Sequence, residues 1–467
     1  MMRRTMRYVD GTKIKESLTC ARLPYLAFHT PREDELPPTE RMEVLFEAGR
    51  RLEDRLLEGI GPEEVVFPRG DWDAGFEATL DAIDRKVPVI ANGVLKLGEF
   101  LGRPDLLVFR EEEGRYEVAD VKSAQVVHAS ARLQVAFYSR LLGQVRPTPR
   151  RGWVIVRDGT RVGFEVADLM ASVERLLDRL QRYRRGPAHD PGPHHDDVCL
   201  DCRYREVCFA ELEDRDDPSF VPGITRAQVA ALRAAGIETL ERLADPPDLR
   251  RVVKESGLAT DTIRRLARGA RAMKDGAPVR FGAVRREVET AKLAVVALLE
   301  ERQTDATIAV AGQVLGRDDA FRVRYLRAPE AERPDEEFRT FVFNLAKTEG
   351  PVLTYGPAVA RLLDRLVLTA PKAIETVHRL RDRLVDVKAE LRRSVALPGP
   401  DRLPHLAARA AGVAAYDDAV DLELLRYLEG FGGTKDAIER RLARDVDALV
   451  RLRAFALEGG VAEGGGP

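Results

Sequence analysis

The chain has 467 residues, 44% hydrophobic and 33% charged, with a formal net charge of -2. That length exceeds a single compact core and sets two or three domains as the expectation, and the composition excludes a disordered or membrane-embedded chain. The balanced charge excludes a global attraction to nucleic acid, so any such surface must be local. Neither an apolar leader segment after Arg3 and Arg4 nor a run of about eighteen apolar residues occurs, so the expected location is cytoplasmic, with no membrane partner.

Residues 1–212 read as one α/β unit. A helix is predicted over about Thr39–Glu58, where Met42, Leu45, Phe46, Leu52, Leu56 and Leu57 share a face and Gly61-Pro62 supplies the stop. VLKLGEFLG, PDLLVFR and YEVADVK follow as strand-like runs, split by Gly102 and by the turn in EEEGR. SARLQVAFYSRLLG reads as a helix ended by Gly143, GWVIVRD as a strand, and an arginine-rich helix runs on to Arg185. The segment RRGPAHDPGPHHDDVC, rich in proline and glycine, leads into a cysteine cluster. Residues 213–280 read as a small helical module. Two short helices join around Gly236-Ile237, with Thr225 and Thr239 as N-caps, and ATDTIRRLARGARAM forms a further helix. Residues 281–458 return to α/β, with KLAVVALLEE, ATIAVAGQVLG and FRVRYLRA as successive strands, EEFRTFVFNLAK as a helix, PVLTYG as a strand and a mostly helical remainder. The tail, 459–467, is expected to be flexible.

Two constellations in the first unit carry chemistry. Phosphodiester hydrolysis calls for a divalent ion to activate water and offset charge on phosphate, and hard ions such as magnesium or manganese take oxygen ligands. An acid at a turn between strands, followed by an acid and a lysine two apart on the next strand, puts the last two on one face, with the lysine acting as a point charge. Asp105, after Gly102-Arg103-Pro104, and Asp120-Val121-Lys122 have that layout. Upstream, Glu47, Glu53 and Asp54 lie on the first helix; downstream, Gln134 and Tyr138 form an i, i+4 pair. Singly, each is an ordinary solvated feature; the signal is their order and spacing. The only cysteines are Cys20, Cys199, Cys202 and Cys208, the last three spaced C-x2-C-x5-C. Such grouping in a reducing compartment points to metal rather than disulfides. Four thiolates suit a [4Fe–4S] cluster or a structural zinc, with His189, His194 and His195 close in sequence; four unrelated buried thiols are the bland alternative.

In this order the motifs resemble the RecB-like PD-(D/E)XK nucleases, which carry G-x3-(H/E), G-x-x-D, (D/E)-x-K and Q-x3-Y. Here these are Gly49-Arg50-Arg51-Leu52-Glu53, Gly102-Arg103-Pro104-Asp105, Asp120-Val121-Lys122 and Gln134-Val135-Ala136-Phe137-Tyr138. The resemblance implies a restriction-endonuclease-like α/β fold. It assigns Mg2+ or Mn2+ to Asp105 and Asp120, with Glu53 completing the site and Glu47 or Asp54 as substitutes for it. Lys122 would stabilise the transition state, and Gln134 and Tyr138 would position the scissile strand. The cysteines, within ESLTCARLPYLAF and CLDCRYREVC, resemble those of the iron–sulfur nucleases of the AddB and CRISPR-associated exonuclease type. That favours a structural [4Fe–4S] cluster on Cys20, Cys199, Cys202 and Cys208, with zinc as the alternative.

The helical segment VPGIT…AAGIETL resembles helix-hairpin-helix modules, which present backbone amides to DNA phosphates; Arg226, Arg233, Arg264, Arg265, Arg268 and Arg271 fit phosphate contact, and a plain helical spacer is the alternative. The C-terminal third resembles the RNase H-like, DEDD-type exonuclease domain. Asp386 and Asp445 match its later carboxylates, but Ala297 and Leu299 stand where D-x-E is expected, Tyr355-Gly356-Pro357 replaces a polar motif, and Glu300 and Glu301 come one turn late. This third is therefore expected to be folded and catalytically inactive, serving DNA binding or scaffolding. The implied whole is a metal-dependent deoxyribonuclease acting on single strands or DNA ends in repair, recombination or defence, beside a helicase or repair complex. The alternatives are a non-catalytic DNA-binding subunit that keeps the fold and cluster, and a zinc-stapled scaffold.

Overall fold

The computed structural model describes residues 8–124, 127–300, 306–315, 323–326, 336–369, 371–399 and 434–459, together with 403, 426 and 432. Glu301, the flanks of the FRVRYLRA strand and tail positions 460–467 lie outside them. The chain divides into two compact units: residues up to 193 with 197–208, and residues 194–196 with those from 209 on.

In the first unit, β1 (Val9–Asp10) leads into α1 (Gly11–Thr19), whose N-terminus is capped by Asp10 accepting from Lys13 N at 2.9 Å. Next come α2 (Arg22–His29) and α3 (Glu40–Ile60). Thr39 caps α3 by accepting from Met42 N, and Gly61, at φ 64°, closes it in the left-handed conformation that glycine adopts without strain. Then follow β2 (Glu63–Glu64), α4 (Trp72–Asp84), β3 (Val89–Ala91), β4 (Leu95–Leu97), β5 (Phe100–Gly102), β6 (Leu106–Arg110), β7 (Arg115–Val121), α5 (Ala129–Leu142), β8 (Arg151–Ile155), β9 (Arg161–Glu165), α6 (Ala167–Arg185) and α7 (Arg205–Asp214). VLKLGEFLG is not one strand but the hairpin β4–β5. It turns at Gly98, whose φ of 57° fits a two-residue loop.

The main sheet has the order β2-β3-β6-β7-β8-β9, and β1-β5-β4 form a second, three-stranded sheet. β6 and β7 are antiparallel, whereas β7 and β8 are parallel and joined through α5. β7 is therefore central and covered on both faces. Tyr116 and Val118 pack in the main core with Val135, Ala136 and Phe137 of α5, and Ala119 and Val121 pack on the other side with Leu52 of α3. A strand covered twice reads as an almost continuous apolar run, which makes the one acid in its final turn of the pleat, Asp120 at 1% exposure, stand out.

The second unit begins with four helices, α8 (Arg226–Ala234), α9 (Leu240–Ala244), α10 (Leu249–Ser256) and α11 (Thr260–Asp275). Thr225 and Gln228 make a reciprocal capping box on α8, Gly236 turns the chain at φ 77°, and Thr239 caps α9. After them come β10 (Val279–Arg280), α12 (Arg286–Thr290), β11 (Leu293–Glu300), β12 (Ala306–Val314), β13 (Val323–Leu326), α13 (Glu336–Lys347), β14 (Val352–Thr354), α14 (Ala358–Thr369), α15 (Ile374–Arg381), β15 (Leu384–Asp386), α16 (Val387–Ser394), β16 (Val395–Ala396) and α17 (Lys435–Leu457). Five of these strands form a sheet of order β13-β12-β11-β14-β15. Its first three strands are antiparallel neighbours, and β14 and β15 are added in parallel. Among the described residues no helix is long and apolar enough to cross a membrane.

Candidate active site

Asp105 directly precedes β6, and Asp120 and Lys122 stand at the end of the adjacent β7. The antiparallel pairing of Leu106 with Ala119 brings the two acids to the same end of the hairpin. Alternation along β7 puts Asp120 on the face of Val118, under α5, and Lys122 on that face too. Asp105 Oδ2 accepts from the backbone amide of Val121 at 2.6 Å, which orients its carboxylate. The Lys122 ammonium pairs with the buried Oδ2 of Asp120.

The electrostatics describe a crowded acidic cluster. Burial pushes the Asp105 carboxyl well above its ordinary value, and Asp120 and Glu53 push it further, with Lys122 opposing. Glu53 is raised too, first by burial and then by Asp120 and Asp54, with Lys122 and Arg103 opposing. Burial pulls the Lys122 ammonium down, but Asp120 and Asp105 outweigh it and leave it above its usual value. So Glu53 of α3 is the helix carboxylate that reaches the site. Glu47 does not: it points into ion pairs with Arg50 and Arg51. Gln134 Nε2 donates to the Tyr138 hydroxyl at 2.9 Å, and Tyr138 is buried with its phenol pushed far up, by burial and then by the charge of Asp120. The phenol thus stays protonated and able to donate.

Sequence reasoning missed what α1 brings. Gly11 lies so close to Tyr138 that a Cβ there would come within 2.1 Å of the phenol oxygen. Lys15, exposed on α1, has its ammonium lowered by desolvation and by the like charge of Lys122, and raised by Asp120. No spacing in the sequence announces either residue, because both reach the site across more than a hundred positions.

These shifts predict a pH dependence. A carboxyl raised in the folded state keeps its proton where the unfolded chain has lost it. Its stabilising contribution is complete below the ordinary value, 3.8 for aspartate, and is lost as pH climbs through the raised value. In EDTA, the melting temperature of the wild type relative to Asp105→Asn should therefore fall as pH rises from about 4 towards neutrality, and added magnesium should reverse the fall. A difference that stays level or grows with pH would show that the acids do not repel one another.

The cysteines gather where the two ends of the first unit meet. Cys20 caps the C-terminus of α1, Cys199 lies in the 3-10 turn Asp197–Asp201, and Cys202 N donates to Cys199 O at 3.2 Å. Burial raises the Cys202 thiol, and Cys20 raises it further. Cys208 is raised by burial and by Cys202 and Cys20, and lowered by Arg22, whose Nη1 donates to its Sγ at 3.5 Å. At least three thiols therefore share one electrostatic neighbourhood, and filling it with a metal requires proton release. Polar links fasten the same junction: Arg22 grips Asp190 through Nε and Nη2, and Arg203 pairs with Glu16. His195 is stacked between Phe209 and Phe220 at 5.4 Å each, and His194 is lowered by burial and by Arg226. Among the described residues, no three histidine, cysteine, aspartate or glutamate side chains stand in ready ligand geometry.

In the second unit the two expected acids serve the fold. Asp386 Oδ1 accepts from Gly356 N at 2.7 Å and Lys388 N at 3.0 Å, capping α16. Asp445 is buried and bonded to Arg441 on the same helix. Of the arginines considered for phosphate, Arg233 pairs with buried Asp217, and Arg271 donates to the Ala244 carbonyl.

A sheet hairpin thus brings two acids, Asp105 and the buried Asp120, together with a lysine, flanked by a helix carboxylate and a Gln–Tyr pair, in a mixed α/β domain. Residues 27–209 match the family model of the PD-(D/E)XK nuclease superfamily. The chain matches no curated protein.

Proposed function

We propose that the protein is a Mg2+- or Mn2+-dependent nuclease acting on single-stranded DNA or DNA ends. The observation that carries this reading is the convergence of Asp105 and the buried Asp120, whose Oδ2 pairs with the Lys122 ammonium, at one end of the β6–β7 hairpin. Asp105 and Asp120 would hold the ion, with Glu53 adjusting it; the charge of Asp120 raises both of the other carboxyls, and an ion there would relieve that repulsion. The ion supplies an activated water and offsets charge on phosphate. Lys122, charged and confined by burial, would hold a phosphate oxygen as its charge grows. The Tyr138 phenol, fixed by Gln134, would donate to the strand and orient it.

The gathering of Cys20, Cys202 and Cys208 supports a structural [4Fe–4S] cluster with Cys199 as the fourth ligand. The strand order β13-β12-β11-β14-β15 supports an RNase H-like domain in the C-terminal part. That Asp386 and Asp445 are engaged as cap and helix pair supports its lack of activity. Anaerobically purified protein should cleave end-labelled single-stranded DNA with magnesium or manganese and stop in EDTA. Absence of cleavage on single- and double-stranded DNA and RNA with either ion would make the non-catalytic DNA-binding subunit the better reading.

A further inference from the structure

Helix α1 carries two lysines, Lys13 and Lys15, and its geometry sends them to different places. Successive helix positions turn by about 100°, so these two point to different faces, whereas Lys15 comes back almost over Gly11, four positions earlier. Lys13 is used locally: its ammonium pairs with Asp10 at 2.8 Å and lies over the Phe28 ring at 5.3 Å. Gly11 faces the acid–lysine cluster. A Cβ there would come within 2.1 Å of the Tyr138 phenol oxygen, so α1 packs on α5 with no side chain between that turn and the phenol. Ile14, fully buried in the main core, fixes the rotation of the helix. Lys15 is thereby held one turn beyond the Tyr138 contact, with its side chain exposed.

The charges around Lys15 belong to the same cluster. Desolvation lowers its ammonium, the like charge of Lys122 lowers it further, and Asp120 and Glu16 oppose. Of these, Lys122 and Asp120 pair with each other, and Glu16 pairs with Arg203 at 2.7 Å. Lys15 is a second cation brought beside a first, an arrangement that costs the protein alone and favours an incoming anion. Charge counting points the same way. A divalent ion and Lys122 just offset the carboxylates of Glu53, Asp105 and Asp120, which leaves no positive charge over for a strand. A polyanion meeting that balance gains from one more cation at the edge.

We propose that Lys15 holds the phosphate next to the scissile one, on the α1–α5 side of the cluster, and so positions a single DNA strand over Asp105, Asp120 and Lys122. This deepens the nuclease reading and rests on it, because it takes the strand to cross that cluster. Lys15 binds and orients; it makes no bond to the reacting atoms.

The test uses the full chain with end-labelled single-stranded oligodeoxynucleotides, each carrying one uncharged methylphosphonate at a successive position. With magnesium, Lys15→Ala should raise KM about tenfold, the effect of one lost charge-assisted contact, and leave kcat nearly unchanged. Lys15→Arg should restore KM. In EDTA, the slope of log affinity against log salt should flatten by about 0.7 in Lys15→Ala, the value for one lost contact on a single strand. Lys86→Asn, exposed and ahead of β3 at the far end of the sheet from Asp105, should change none of these. One methylphosphonate position beside the scissile bond should weaken the wild type as much as Lys15→Ala does, and should cost that variant nothing more. Should the alanine protein fail to fold, Lys15→Gln keeps most of the stem and decides in its place. Unchanged KM and slope in a folded variant, or methylphosphonate penalties that simply add to the substitution at every position, overturn the proposal. Wild type that binds but does not cleave removes the nuclease reading alone, and the affinity, slope and methylphosphonate measurements in EDTA still decide on Lys15. Wild type that neither binds nor cleaves overturns both.

Discussion

Asp120→Asn is expected to reduce metal-dependent cleavage by about a thousandfold or more without lowering the melting temperature of the metal-free protein. The rate effect follows from removing one of the two carboxylates proposed to hold the ion, a change of several kcal/mol in transition-state charge stabilisation. The stability effect has the opposite origin. Asp120 pushes up both Asp105 and Glu53, so neutralising it relieves repulsion, while Lys122 keeps Asp105 and Glu53 as counter-charges. The asparagine has the same shape, so no cavity opens. Magnesium should also separate the two proteins. A ligand that binds only the folded state stabilises it by about 2.7 kcal/mol at a hundred times its dissociation constant, so the wild type should melt higher with magnesium and the variant should barely respond. Undiminished cleavage by folded Asp120→Asn protein would falsify the assignment of the site.

The second large effect is expected at the cysteines. Cys20→Ser and Cys202→Ser should each lose the metal of the proposed cluster and lower the melting temperature of the first unit by roughly 10–20 °C. Cys20 stands 179 positions before Cys199. A permanent link across a loop of that length is worth about 5 kcal/mol in the chain-entropy account, and 1 kcal/mol shifts the melting of a domain this size by about 2–4 °C. The loss is bounded because the Arg22–Asp190 and Arg203–Glu16 links remain. Iron, sulfide and zinc should be measured on anaerobically purified wild type and variants. Zinc in stoichiometric amount without iron would replace the cluster by a zinc site. Metal-free wild type that melts where the serine variants melt would remove the shared centre altogether.

The parts of the site that were legible in the sequence are those whose geometry is local. Asp120 and Lys122 share a face because strand side chains alternate, and Gln134 and Tyr138 meet because four residues bring a helix back on itself. Thr39, Gly61, Thr225 and Thr239 could be assigned to helix ends because capping depends on one or two neighbouring groups. Glu53 could not be told from Glu47, since both lie on α3 and only its packing through Leu52 decides which one turns to the sheet. α1, α4, α10 and β9 form in segments where the sequence analysis places no element. Lys15 and Gly11 were therefore missing from the expected site, although both reach it. Asp386 and Asp445 match a family pattern by position alone, and an acid that caps a helix has the same letter as one that binds a metal.

The beginning of the chain supplies a strand, a helix and a cysteine to partners made much later. Val9 N donates to Glu99 O at 2.8 Å, Val9 and Asp10 pair with Phe100 and Leu101, and Gly11 lies against Tyr138. During synthesis β1 lacks its strand partner until the hairpin at Gly98 has followed it. The junction around Cys20 cannot close before Cys208 has emerged as well. The nascent first unit thus spends most of its translation with β1 and α1 unpaired, and its closure waits on the last tenth of the unit.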